Sequence, residues 1–172
     1  MKIRNMALCG MCSALLCLCG WLSFPLGDTA ITLQTFGIFL CLSALGGKRG
    51  TVSIFVYLLL GAAGLPVFSG FRGGMGVLLG ATGGYLVGFL VCGLVYWLLS
   101  VLFPRHSLAA MVAGLFICYL FGSLWYYIVY TAGSAATLGF ILAKCVLPFL
   151  LPDIAKLLLA HSLSKKLRPF VY

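Results

Sequence analysis

Residues 77–130 read VLLGATGGYLVGFLVCGLVYWLLSVL (77–102), FPRHS (103–107) and LAAMVAGLFICYLFGSLWYYIVY (108–130). Arg105 is the only Asp, Glu, Lys or Arg among them. A helix crossing the hydrocarbon core of a bilayer needs about 20 mostly apolar residues. This stretch therefore predicts two crossings joined at Pro104-Arg105-His106. The same rhythm continues on either side. A first span is predicted over 6–24, closed by Pro25, Gly27 and Asp28. A second covers 31–45, closed by Gly46-Gly47-Lys48-Arg49-Gly50, and a third covers 52–63, stopping at Gly64-Leu65-Pro66. A sixth covers 138–159, with Pro148 and Pro152 inside it, and a basic tail follows over 164–172. The second and third are short, as for tilted partners of longer helices. The expected fold class is an all-α membrane protein of six transmembrane helices, one integral domain over 1–172.

Composition supports this. Of 172 residues, 63% are hydrophobic and 8% charged, against roughly 45–50% and 25% in soluble domains. Glu is absent, and the two acids are Asp28 and Asp153. So little polar surface cannot cover a soluble fold, which excludes a soluble enzyme, a DNA-binding module and a disordered tail. The net charge of +9 comes from short clusters between apolar runs, not from a stripe suited to nucleic acid. With six spans, Lys2, Arg4, Lys48, Arg49, Arg105, Lys165, Lys166 and Arg168 fall on one side, and only Arg72 on the other. Basic loops mark the cytoplasmic face, so both termini are expected in the cytoplasm. A cleaved signal peptide after Lys2 and Arg4 is the lesser reading, because the run is long and no small-residue cleavage site follows.

The eight cysteines lie in or beside apolar segments, unlike a secreted disulfide framework. Cys9 and Cys12 form a C-x-x-C that would suggest redox chemistry in a soluble βαβ setting. Here they read as small packing residues. Gly10 and Ala14 have small-x-x-x-small spacing, which lets helices approach closely in lipid. They could pack within this chain or dock another membrane subunit.

No nucleophile elbow, zinc-binding H-E-x-x-H or complete phosphate loop occurs. Gly46-Gly47-Lys48 lacks the earlier Gly and has Arg49 where Ser or Thr is required. The chain is not expected to be an enzyme or to hydrolyse ATP, and it calls for no cofactor or metal. Ionisable residues at membrane depth are costly and usually functional, which singles out Asp153 and Lys156. Three apart, they share a helix face. They are either a neutralising structural pair or a site where Asp153 accepts N–H bonds from a polar solute. Pro148 and Pro152 are expected to open the helix there, and Lys144 to snorkel. The segment 61–88 is dense in glycine and carries Arg72, a candidate partner for a carboxylate. Tyr85 adds a ring and a hydroxyl at the start of the fourth span.

These residues resemble the BioY family, the biotin-specific S-components of energy-coupling factor transporters. The matching runs are Gly64-Leu65-Pro66-Val67-Phe68, Arg72-Gly73-Gly74 and Gly80-Ala81-Thr82-Gly83-Gly84-Tyr85-Leu86. Pro148-Phe149-Leu150-Leu151-Pro152-Asp153-Ile154-Ala155-Lys156 is similar to the family's Pro-Gly-Asp-x-x-Lys segment, and Ile31-Thr32-Leu33-Gln34-Thr35 to its second-helix entry, where a Gln is usual. Ala81 replaces a frequent Pro, and Pro152 a Gly before the Asp. The family's Ala-x-x-x-Ala docking pattern is met here by Gly10 and Ala14. The resemblance implies biotin as substrate, with Asp153 on the ureido N–H groups and Arg72 on the valerate carboxylate. It also implies a transmembrane coupling protein and two ABC-type ATPases as partners, in a bacterial or archaeal cell membrane. The rival readings are an S-component for another small vitamin and a membrane thiol–disulfide oxidoreductase using Cys9 and Cys12. The latter needs a second, loop-borne Cys pair, which the predicted outer loops lack.

Overall fold

The computed structural model describes residues 3–26, 29–130 and 138–171. Asp28 and the segment 131–137 lie outside them, as does the Lys144 side chain. The described chain is helical apart from one hairpin. Helix α1 (Ile3–Trp21) leads into strands β1 (Ser23–Leu26) and β2 (Thr29–Thr32), and then come α2 (Gln34–Leu45) and α3 (Gly47–Ala62). After a turn of 3-10 helix at Ser69–Phe71 come α4 (Met75–Leu79), α5 (Gly83–Leu102), α6 (Ser107–Tyr130), α7 (Leu138–Cys145) and α8 (Leu147–Val171). By length and apolar composition four segments can cross a membrane: Ile3–Trp21, Gly83–Leu102, Ser107–Val129 and Leu147–Pro169.

Several bounds differ from the sequence expectation, each for a local reason. The predicted spans 6–24 and 31–45 run into β1 and β2, which pair antiparallel with Ser23 opposite Thr32 and Leu26 opposite Thr29. Four-residue strands are too short to read by alternation. The class is thus mostly helical rather than all-α. The predicted span 77–102 is two helices, because the chain breaks at Gly80–Thr82 between α4 and α5. The span 138–159 also divides, at Val146, and α8 carries the basic tail as helix to Val171. Pro148 and Pro152 do not interrupt it. Pro148 sits in the first turn, where a missing N–H costs nothing. Pro152 only leaves the carbonyl four residues earlier without its helical donor.

Helix α2 is the hub. Apart from Thr35 and Phe36 its residues are buried, with α1, α3, α5 and α8 packed around it. At about 1.5 Å per residue its 12 residues span less than the bilayer core, and the hairpin sits above its N-terminal end. Gly46, with φ of 83°, makes the sharp reversal into α3 in a conformation that disfavours a side chain. Antiparallel α5 and α6 approach through small residues. A Cβ on Gly88 would lie 3.0 Å from Cys118 Sγ, and one on Gly114 would lie 2.8 Å from Cys92 Sγ. The cysteines here are knobs in glycine holes, as the packing reading expects.

Arg4 Nη2 donates to the Val171 carbonyl at 2.9 Å, so the start of α1 and the end of α8 meet. That end also carries the α2–α3 and α5–α6 turns, with Lys48, Arg49 and Arg105. A cavity opens toward the opposite end of the bundle.

Candidate functional site

The cavity has a volume of about 430 Å³, within the range of small-molecule sites. It lies among α2, α5, α6, α7 and α8, roofed by the chain between α3 and α4. Phe89, Leu115 and Phe149 contribute apolar wall. Asp153, Lys156, Arg72, Tyr85 and Gln34 all line it.

Asp153 and Lys156 occupy successive turns of α8 and are only 3% and 8% exposed. Burial of two charges is costly unless each is paired and hydrogen-bonded, and here both are. Lys156 Nζ donates to Asp153 Oδ1 at 2.8 Å and to the Thr32 carbonyl at 2.7 Å. Thr35 Oγ1 donates to the same Oδ1 at 2.9 Å, and the Tyr119 hydroxyl donates to Oδ2 at 2.7 Å. Three donors thus fix the carboxylate from three elements, α2, α6 and α8. An ammonium has three N–H groups and a carboxylate oxygen two acceptor sites. One Lys156 N–H and one lone pair on Oδ2 therefore remain for a ligand. Together they complement an adjacent N–H and C=O.

The chain after α3 positions Arg72. Tyr57 donates to the Val67 carbonyl at 3.3 Å, and Trp21 Nε1 to the Pro66 carbonyl at 2.7 Å. Phe68 N–H donates to the Arg72 carbonyl at 2.9 Å, which closes a tight turn. Within that turn Phe71 has a φ of 54°, rare for a bulky residue, and its ring stacks on Trp21 at 5.3 Å. Arg72 is exposed at the mouth. Its Nε donates to the Ser69 carbonyl at 3.2 Å, which leaves the guanidinium end for a ligand anion.

Gln34 and Tyr85 line the cavity with their polar ends engaged. Gln34 Nε2 donates to the Tyr57 hydroxyl, and its Oε1 accepts from Thr32 at 3.0 Å. The Tyr85 hydroxyl pairs with Ser123 Oγ at 3.1 Å. The sequence reading missed Thr35 and Tyr119. A hydroxyl deep in an apolar span needs a partner, but spacing could not choose Tyr119 over Tyr126 or Tyr127.

Gly10 and Ala14 are exposed on α1, and a Cβ on Gly10 would meet nothing within 4 Å. The space beside Gly10 is therefore open among the described residues. Cys9 is buried, with Sγ 3.6 Å from the Arg49 carbonyl, and no disulfide joins the cysteines among the described residues. The oxidoreductase reading finds no support in that arrangement.

A model of the BioY family matches residues 1–172. The chain belongs to the BioY family. It is 39% identical over 169 residues to the biotin transporter BioY of Thermotoga maritima, covering 96% of each chain. It is 34% identical over 168 residues to a probable biotin transporter BioY of Pyrococcus horikoshii, covering 98% of each. The fold is similar to a crystal structure of the S-component for biotin from an ECF-type ABC transporter, with a TM-score of 0.86 and 27% identity. That match covers 98% of this chain and 92% of the other. This BioY protein is thus a multi-pass membrane protein and a transporter component, and no enzyme.

Proposed function

We propose that this BioY protein is the biotin-binding uptake subunit, or S-component, of an energy-coupling factor transporter. The observation that carries the reading is its full-length likeness to relatives named as biotin transporters. The cavity's chemistry accords with it. The ureido ring of biotin carries N–H and C=O groups side by side. Asp153 Oδ2 accepts a ureido N–H, and the third Lys156 N–H donates to the ureido oxygen, both as charge-assisted bonds. Thr35 and Tyr119 hold the carboxylate in place for this. The thiophane ring and tail methylenes pack on Phe89, Leu115 and Phe149, and the valerate carboxylate pairs with Arg72 at the mouth. Gln34 braces the roof through Tyr57, and Tyr85 forms wall.

The chain crosses the membrane six times with both termini in the cytoplasm of a bacterial or archaeal cell. The meeting of Arg4 with Val171 supports an even number of crossings, and the bases gathered at that end support its cytoplasmic placement. Uptake is driven by a transmembrane coupling protein and two ABC-type ATPases, with Gly10 and Ala14 on the docking face.

Calorimetry on the purified subunit with biotin, thiamine and riboflavin tests the reading. Biotin is expected to bind far more tightly than the others. Equal or tighter binding of thiamine or riboflavin overturns it.

A further inference from the structure

A second cavity lies at the basic end, between the α2–α3 turn and the α5–α6 turn and against the last turns of α8. It measures about 330 Å³ and is lined by Ser43, Gly47, Tyr96, Ser100, Ser107 and Arg168, among others. Its polar groups are unbalanced toward donors. Arg168 Nε donates to the Ser43 carbonyl at 3.1 Å, which fixes the guanidinium while its terminal nitrogens make no hydrogen bond among the described residues. Tyr96, only 2% exposed, shares a single 3.0 Å hydrogen bond with Ser107 Oγ. Whichever hydroxyl donates, the other O–H has no acceptor among the described residues. With Ser107 as donor, the group left over is the O–H of the buried Tyr96, and a buried donor is normally satisfied. The first-turn N–H groups of α3 and α6, free of intrahelical partners, emerge at Gly47 and Ser107, and the N-cap of α3 makes no side-chain bond.

No acid among the described residues lines this cavity. Of the two acidic side chains, Asp153 is committed to the first cavity. The surroundings belong to a membrane surface. Trp97, Leu98, Val101 and Leu102 are exposed on α5 beside it, as is Phe103 just after it, while Lys48, Arg105 and Lys165 are exposed at the same end. Trp at this level suits the interface, and basic pockets between transmembrane helices on the cytoplasmic side suit lipid headgroups.

We propose that this cavity binds the phosphate of an anionic phospholipid. Arg168 and the Tyr96–Ser107 hydroxyl pair hold the phosphate oxygens, and the acyl chains lie along the exposed apolar face of α5. The surrounding bases disfavour a headgroup that carries its own cation.

The test is lipid retention by the purified protein in native mass spectrometry, with phosphatidylglycerol against phosphatidylcholine of the same acyl chains. Inorganic phosphate forms a separate arm, and biotin binding serves as the check of fold. Wild type is expected to retain phosphatidylglycerol preferentially, and Lys165→Gln, an exposed base outside the cavity, to lose less of that preference than Arg168→Gln. Arg168→Gln is expected to lower that preference about fivefold, the share of one basic residue near an anionic surface. Ser100→Asp, which sets a fixed anion in the cavity, should do the same. An Arg168→Gln protein that matches Lys165→Gln overturns the site. If Arg168→Gln fails to fold, Ser100→Asp decides, and undiminished preference there overturns it equally. Displacement of the lipid by millimolar inorganic phosphate overturns the lipid as occupant.

Discussion

At Asp153 the three protein partners, Thr35, Tyr119 and Lys156, are all donors, so the side chain must be an acceptor on both oxygens. Asp153→Asn puts an NH2 group among them and toward the ureido N–H as well. A hydrogen bond to a charged group contributes about 1.5–3 kcal/mol. Biotin affinity should therefore fall roughly tenfold to more than a hundredfold, measured by calorimetry on protein that stays folded. Near-normal binding would remove Asp153 from recognition. Tyr119→Phe leaves the carboxylate with two donors and should weaken biotin less than Asp153→Asn does. The reverse order would mean that Tyr119 itself reads the ligand. In the proposed reading Arg72 acts on a different part of the substrate. Arg72→Ala should weaken biotin more than biotin amide, which lacks the carboxylate charge. Equal losses for the two ligands would make Arg72 a shaper of the turn at 68–72 and not a reader of charge.

Among the elements, the α5–α6 pair has the tightest small-residue packing, because lipid supplies no hydrophobic drive and contact must come from close fit. Gly88 faces Cys118 and Gly114 faces Cys92, and Cys92, Cys118 and Tyr119 border the substrate cavity. Gly114→Leu should lower the thermal midpoint and weaken biotin binding together, since overpacking costs about 1–3 kcal/mol and shifts α6 with Tyr119. An unchanged midpoint would mean the helices part without cost. These two helices were legible in the sequence because each is long and apolar and Pro104 parts them, whereas the break at Gly80–Thr82 was not read. The short elements were not. α2 has 12 residues, mostly apolar, too few to separate a span from a buried helix, and β1 and β2 have four residues each. The sequence located Asp153 and Lys156 because charge inside an apolar run is conspicuous. Their partners Thr35 and Tyr119 were not, because a hydroxyl in a span is common and its partner is set by packing between distant helices.

The whole molecule has two ends with different chemistry: the larger cavity at one, gathered bases and both described chain ends at the other. The proposed coupling protein must seat on a face that the described helices of this chain leave open. Gly10 and Ala14 lie one turn apart on α1, exposed, with Met11 and Leu18 also exposed on that helix. The opposite side of α1, at Cys9, Ser13 and Leu16, is buried against the bundle. A shallow groove of small residues lets a partner helix approach to backbone distance, where dispersion replaces the missing hydrophobic drive. Gly10→Leu or Ala14→Leu should therefore abolish co-purification with the coupling protein and ATPases, and energised uptake with it. Biotin binding by the isolated subunit should stay at the wild-type level, because no residue of α1 lines the cavity. The two readouts separate the possibilities. Loss of both means that leucine disturbs the subunit itself, against the open space at Gly10. Retention of both rejects this face as the docking surface, and only loss of assembly with binding intact fits a partner seated on α1.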